Sequence, residues 1–163
     1  MLIDQVYQKL EYRRSEIKHL YGTNVHILSD PFLLTHLAKL CSPDTHQPFI
    51  NQLVEALYSN LTEVIVNSEF SRKKTVTTTR MIDYHPEAEF ESEILDSEQL
   101  SVCVNLARAG TFPSHICYSA LNYILNPQKI RQDHISINRA VDSDQKVVGT
   151  NVSGHKIGGS VKD

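Results

Sequence analysis

Residues 100–125 constrain the fold of this chain most, because they change from strand to helix patterning within a few positions. A short, Val-rich apolar run covers residues 102–106 between polar neighbours, which is typical of a strand covered on both faces. A tight turn containing Arg108 and Gly110 follows. From Phe112 onward apolar residues recur at spacings of three to five, which indicates a helix. The stretch therefore predicts a strand–turn–helix unit.

The turn of this unit has the features of an anion site. Thr111 is a suitable N-cap and Pro113 fits the first helical turn. Open α/β sheets bind ligands beyond the carboxyl ends of their strands, where backbone N–H groups and a helix start favour anions. The guanidinium of Arg108 can hold a phosphate through two hydrogen bonds. In the alternative interpretation, Gly110 serves only the backbone conformation of the turn.

Length and composition exclude several classes of protein. The 163 residues and 18.5 kDa suit one domain with a core that needs no disulfide or metal. A net charge of −3 argues against broad nucleic-acid binding, which needs a strongly basic face. No apolar run approaches the roughly 20 residues that cross a bilayer, and the N-terminus does not resemble a signal peptide, so no membrane partner is expected.

The cysteines indicate a reducing compartment. Cys41, Cys103 and Cys117 are odd in number, widely spaced and set in apolar patterns. We therefore expect buried thiols rather than a disulfide framework or a zinc site. The expected location is the cytoplasm.

The first half of the chain is predicted to be mainly helical. Apolar periodicity over residues 3–21 predicts a helix ended by Gly22. Residues 29–31, Ser-Asp-Pro, signal a second helix start, and residues 42–44 a break. A long amphipathic helix is expected to begin near Pro48.

Strand patterns flank the central unit. Residues 75–84 are rich in β-formers, and acidic residues then alternate at Glu87, Glu89, Glu91 and Glu93. On a strand these carboxylates share one face. With His85 they are either a divalent-metal site or, as we favour, charges that discourage edge-to-edge pairing. Residues 133–139 alternate as a strand, and a hairpin is expected after them.

No common catalytic motif is present. The sequence lacks the P-loop, the dinucleotide fingerprint, C-x-x-C and H-E-x-x-H. Ser114 lacks the G-x-S-x-G elbow. His134 beside Asp133 suggests an oriented base, but neighbouring side chains on a strand face opposite ways. The residues alone therefore predict an α/β domain with a candidate phosphate turn and no evident catalytic set.

Three segments in the right order resemble the uracil phosphoribosyltransferase family. Residues 104–110, Val-Asn-Leu-Ala-Arg-Ala-Gly, are similar to the family's strand that ends in Arg-Ala-Gly before a helix. Residues 133–139, Asp-His-Ile-Ser-Ile-Asn-Arg, are similar to its downstream strand. Residues 30–40 with residues 48–50 match its opening more loosely. The resemblance covers roughly residues 25–163.

The resemblance implies a type I phosphoribosyltransferase fold, a mostly parallel sheet flanked by helices. It implies a phosphoribosyltransferase-like domain over residues 23–163. Residues 1–22 fall outside the resemblance and are expected, from their apolar periodicity, to form an N-terminal helical extension. That domain is expected to be incomplete, because the family's Ala-Thr-Gly-Gly-Ser loop and Pro-Gly-Leu-Gly-Asp segment are absent. The implied reaction converts uracil and 5-phosphoribosyl diphosphate to UMP and pyrophosphate, with Mg²⁺.

The resemblance also implies the binding residues. Arg108, Ala109, Gly110 and Thr111 would hold the pyrophosphate group, and Arg139 would be a second contact. The implied partners are 5-phosphoribosyl diphosphate and a pyrimidine base. Asn105 stands where the family has Pro.

Two other hypotheses remain open. The first is a non-catalytic, phosphoribosyltransferase-like module that binds a nucleotide or regulates a partner. Such a module would leave an exposed sheet edge, so we expect a homo-oligomer. The second makes Arg108 an ordinary surface residue that forms an ion pair.

Overall fold

The computed structural model describes the backbone of residues 11–159 and the side chains of residues 11–154. These residues form three α-helices, one short 3-10 turn and five strands. The helices are α1 (Pro31–Leu40), α2 (Phe49–Glu69) and α3 (Thr111–Asn122), the 3-10 turn is Pro127–Lys129, and the strands are β1 (Arg72–Thr78), β2 (Glu89–Leu95), β3 (Ser101–Ala107), β4 (Ile130–Val141) and β5 (Val147–Gly159). The class is α/β, as the sequence predicts.

The described strands form two sheets. One has the order β3-β4-β5, with β3 parallel to β4 and β5 antiparallel to it. The other is the antiparallel pair β1-β2. The prediction of a mostly parallel sheet is therefore wrong for the described residues. The reason is that β1 joins β2, and β4 joins β5, through connections too short for the crossover that parallel neighbours need.

The buried core lies where α2 and α3 meet the start of β4. Val66 from α2 packs with Leu121, Leu125 and Ile130, and Ile130 has no exposed surface. Phe70, Leu95, Cys103 and Tyr118 pack around this cluster. Burial of this kind is the main stabilising contribution in a domain of this size. It holds α3 against β3 and β4, and so fixes the turn that joins β3 to α3.

The three-stranded sheet is covered by a helix on one face. Cys103 and Asn105 of β3 face α3, whereas the alternate residues face away from it. Val102, Val104 and Leu106 are 42%, 56% and 56% exposed. The predicted burial of β3 on both faces therefore holds for one face only within the described residues.

The predicted helix over residues 3–21 is wrong for its described part, residues 11–21. That part pairs with the chain that follows instead, and the N–H of Ile17 donates to the carbonyl of Ile27 at 3.0 Å. Gly22 lies between them with φ of 97°, a value that favours glycine. The rest of that prediction lies outside the described residues. The pairing joins the two sides of the predicted domain boundary at residues 22 and 23.

The other helices in the first half are confirmed. Asp30 caps α1, and its carboxylate accepts from the N–H groups of Phe32 at 2.8 Å and Leu33 at 3.2 Å. Helix α2 begins at Phe49, directly after Pro48, and runs for 21 residues. No helix in the described part of the chain combines the length and apolar character needed to cross a membrane.

Three of the four alternating acidic residues lie on a strand, as predicted, whereas Glu87 lies in the turn before it. Glu89, Glu91 and Glu93 of β2 pair with alternate residues of β1 and are exposed. The described residues contain no group of three His, Cys, Asp or Glu side chains placed to hold a metal. The structure therefore gives no support to a metal site on β2.

The cysteines differ in their surroundings. Cys41, which caps the end of α1, is exposed, so the prediction of a buried thiol is wrong there. Cys103 and Cys117 are half-buried and unpaired. Burial raises the pKa of Cys103 to about 11, with a further contribution from Cys117. A thiol with so high a pKa is protonated near neutral pH and is a weak nucleophile.

Candidate anion-binding site

The strand–turn–helix unit is formed as the sequence predicts. Strand β3 ends at Ala107, the turn takes Arg108 to Gly110, and α3 begins at Thr111. The helix cap is Gly110 rather than Thr111, which is the first helical residue. The N-terminus of α3 therefore lies at the carboxyl end of β3, where open α/β sheets bind ligands.

Hydrogen bonds close the turn and leave two donors free. The N–H of Gly110 donates to the carbonyl of Leu106 at 3.0 Å, and the N–H of Thr111 donates to the carbonyl of Arg108 at 3.1 Å. The Ala107–Arg108 peptide is cis. Within the described residues, no acceptor pairs with the N–H groups of Ala109 or Phe112. These two donors sit at the positive end of the α3 dipole.

Arg108 adds a full positive charge to this end of the helix. Its side chain is exposed, and it forms no ion pair or hydrogen bond with another described residue. The hypothesis that Arg108 is an ordinary ion-pair former therefore has no partner carboxylate in this part of the chain. The guanidinium is available to an anion from solution.

Gly110 is required by space rather than by backbone conformation. Its φ of −73° is accessible to any residue. A Cβ at this position would lie 2.7 Å from the carbonyl oxygen of Leu106 and 3.1 Å from the Cβ of Asn105. The turn and β3 can approach this closely only because residue 110 has no side chain.

Asn105 joins three elements beneath the turn. It lies in β3 and is 8% exposed. With its amide placed so that every contact pairs a donor with an acceptor, Nδ2 donates to the Asp133 carbonyl and to Nε2 of His134, both at 3.1 Å. Its Oδ1 accepts from the N–H of Thr111 at 3.1 Å. Gly110, the N-cap residue of α3, has no side chain that could accept a hydrogen bond from the first helical N–H groups. Asn105 of the preceding strand supplies that acceptor instead.

A second buried pair reinforces this connection. Gln132 of β4 donates through Nε2 to Oγ of Ser114 in the first turns of α3 at 3.1 Å. The two residues are 5% and 8% exposed. Ser114 is thus held as a buried hydrogen-bond acceptor, which is consistent with the sequence argument against a nucleophile.

Asp133 and His134 do not form a catalytic pair. Asp133 Oδ2 accepts from Nε and from a terminal nitrogen of Arg131, both at 3.0 Å. His134 lies on the opposite face of β4 and meets Asn105. The alternation of side chains on a strand explains this separation, as predicted.

Arg139 lies at the same end of the sheet but on the other face. Strand β4 continues past Ser136, the partner of Ala107, and Arg139 follows three residues later, about 10 Å along the strand. By alternation its position faces away from α3, and its side chain is exposed. The structure therefore brings residues 108–111 together and gives no contact between them and Arg139 within the described residues.

The contacts among the polar residues beneath the turn are not predictable from the sequence. Asn105 lies in β3, whereas Gln132 and His134 lie in β4. The contacts of these residues therefore depend on the register between the strands. One signal was present, since Asn105 is a polar residue inside the apolar run 102–106. A polar residue in a strand that packs on a helix generally has a specific partner.

A cavity with cationic side chains lies elsewhere in the described part of the chain. This open cavity of about 580 Å³ is lined by Arg13, Arg14, Arg72 and five other residues from the N-terminal segment, the end of α2 and the start of β1. Arg14 there is paired with Glu16 at 2.7 Å and Glu69 at 3.2 Å. Its charge is therefore already neutralised, unlike that of Arg108.

Comparison with known proteins gives a fold and no family. No protein-family model matches the chain, and no curated protein matches it. The structure is similar to a solved structure described as that of the AQ2163 protein from Aquifex aeolicus, with a TM-score of 0.50 and 12% sequence identity. The match covers 83% of this chain and 54% of that chain. The chain thus spans about half the length of that structure, and the likeness supports the α/β fold alone.

Proposed function

We propose that the turn at residues 108–111 binds the diphosphate group of 5-phosphoribosyl diphosphate, and that the chain is part of a uracil phosphoribosyltransferase. The observation that carries the proposal is the exposed, unpaired Arg108 beside the free N–H groups of Ala109 and Phe112. The reaction would transfer the phosphoribosyl group to uracil and release pyrophosphate. The resemblance of residues 104–110 to that family supplies the choice of substrate.

The chemistry of such a transfer matches what the turn offers. The bond between ribose and diphosphate breaks through an oxocarbenium-like transition state, while negative charge grows on the departing pyrophosphate. Fixed N–H donors and a guanidinium aimed at that charge lower the barrier. We propose Arg139 as a second contact on the basis of the resemblance. It would have to reach the anion around the end of the sheet.

Mg²⁺ is implied by the resemblance. The described residues bring no three carboxylate, His or Cys side chains together, so they do not form a protein cage for this ion. Mg²⁺ is commonly held through substrate phosphates and water instead. No step of the proposal depends on a metal ligand from this chain.

The direct test is calorimetric titration of the chain with pyrophosphate. We expect binding by the natural sequence and a loss of at least about tenfold in affinity for Arg108→Ala, because a charge-assisted pair is removed. Arg108→Lys should recover part of the affinity, since it keeps the charge but not the two-pronged contact. Arg80→Ala is the matched control, because Arg80 is also exposed and lies outside the site. Equal affinity of Arg108→Ala and the natural chain would refute the assignment.

The open sheet favours a second candidate function. Strand β3 lies at an edge of its sheet, and its outward face exposes Val102, Val104 and Leu106. Association with another copy of the chain would cover such an edge. A non-catalytic module is therefore proposed as the alternative, and light scattering tests the oligomer that it requires. A pyrophosphate-binding oligomer supports the module, whereas a monomer, or any UMP formation by the chain, counts against it.

A further inference from the structure

Asn105 occupies a buried position where an apolar side chain would cost less free energy of desolvation than an amide does. It is 8% exposed and lies on the face of β3 that packs on α3, whereas its sequence neighbours Val104 and Leu106 lie on the other face. A buried amide is tolerated only when its donors and acceptor are paired. All three of its contacts lead to other elements, two to β4 and one to the start of α3. This arrangement ties the turn to the central strand.

We infer that Asn105 is a positioning residue for pyrophosphate binding, an inference that rests on the proposed function. Its Oδ1 holds the N–H of Thr111, while Nδ2 is anchored to the Asp133 carbonyl and His134. The register of β4 thereby sets where α3 begins relative to β3. Because the N–H of Thr111 is taken, those of Ala109 and Phe112 are the donors left for the anion.

The contact with His134 gives this role a spectroscopic signature. Nε2 of His134 accepts from Asn105, so its proton must reside on Nδ1. Free imidazole favours the other tautomer. The tautomer of His134 therefore reports whether the Asn105 amide is engaged, independently of any ligand.

The experiment compares Asn105→Ala with the natural chain in two measurements. Long-range ¹H–¹⁵N spectra should show His134 protonated on Nδ1 in the natural chain and shifted towards Nε2 in the variant. Affinity for pyrophosphate, measured by calorimetry, should fall by about tenfold, the factor that corresponds to one lost buried hydrogen bond. Arg108 is unchanged in this variant, so the loss would act through the position of the turn.

Two further variants keep the test decisive. Thr62→Ala removes a buried hydroxyl that bonds to the Tyr58 carbonyl at 2.8 Å in α2, away from the turn. It should cost stability without changing pyrophosphate affinity or the His134 tautomer. His134→Leu removes a single Asn105 partner, so it should lower affinity by a smaller factor and serves as the variant to measure if Asn105→Ala does not fold.

The outcomes separate this inference from the proposed function. If the natural chain does not bind pyrophosphate, both are wrong. If the natural chain binds and Asn105→Ala binds equally well, the inference alone is overturned. An equal loss of affinity in Thr62→Ala would also overturn it, because the effect would then reflect general stability.

Discussion

At the scale of single residues, Gly110 and Asn105 show two ways in which one position controls the turn. Gly110 allows the turn to pack closely on β3, because a Cβ at this position would lie only 2.7 Å from the carbonyl oxygen of Leu106. Asn105 then occupies the space beside it and holds the first N–H of α3. Gly110 acts through the absence of a side chain, whereas Asn105 acts through an amide whose donors and acceptor are all hydrogen-bonded. Both act on the backbone donors of the turn rather than on a ligand.

Gly110→Ala is predicted to push the turn away from β3. The added methyl group would meet a backbone oxygen, which cannot move aside as a flexible side chain could. Overpacking of this kind typically costs about 1–3 kcal/mol of stability. Pyrophosphate affinity should fall as well, because the donors move with the backbone. Denaturant unfolding and calorimetry measure the two effects.

The control for this variant is Gly149→Ala, since a Cβ on Gly149 of β5 meets no atom within 4 Å. Its stability should stay within about 0.5 kcal/mol of the natural chain. If Gly110→Ala were as stable and bound pyrophosphate as tightly as this control, the close approach would not matter.

Residue identities in the turn were predictable because they are contiguous. Arg108 and Gly110 follow an apolar run and precede a helical pattern, so the sequence alone places them together. The reason for Gly110 was not predictable, because the Leu106 carbonyl that excludes a Cβ is defined only once the turn is built. The partners of Asn105 depended on strand register, which local patterns do not specify.

At the scale of elements, capping and proline signals in the sequence correctly predict helices whose hydrogen bonds lie within the helix itself. Helix α1 follows an Asp cap and α2 follows Pro48, and both signals are evident in the sequence. Residues 11–21 carry a helical apolar pattern yet bond to the segment after Gly22, through Ile17 and Ile27. Tertiary pairing overrides propensity there.

The cap of α1 yields a quantitative prediction. Asp30→Ala removes the acceptor for the N–H groups of Phe32 and Leu33, so stability should fall by about 1 kcal/mol. Asp44→Ala serves as the control, because Asp44 is exposed and its carboxylate accepts no hydrogen bond among the described residues. Urea unfolding followed by circular dichroism measures both variants. Equal midpoints for the two variants would show that the cap contributes nothing.

At the scale of the whole molecule, the α/β class was predictable and the sheet organisation was not. The alternation of strand and helix patterns around residues 100–140 indicates β3, α3 and β4. The two strands, β3 and β4, pair in parallel as expected. The two antiparallel pairs arise from β1-β2 and β4-β5, whose short connections decide their direction. A resemblance in three short segments could not reveal this mixture.

The whole molecule also limits where an anion can bind. Positive side chains occur both at the turn and in the cavity with Arg13, Arg14 and Arg72. In that cavity Arg14 is paired with two carboxylates, and Arg72 donates to the Asn67 carbonyl at 2.6 Å. The turn combines an unpaired guanidinium with free N–H groups, whereas the carboxylates of Glu11 and Glu16 also line the cavity and repel an anion, so we favour the turn as the anion site.

The most direct test of this account is a titration of the ¹⁵N-labelled chain with pyrophosphate, followed through the amide signals. We predict saturable shifts that are largest from Ala109 to Phe112 and that need at least about tenfold more pyrophosphate in Arg108→Ala. The absence of shifts, or shifts centred on Arg13, Arg14 and Arg72, would contradict the assignment of the turn as the pyrophosphate site.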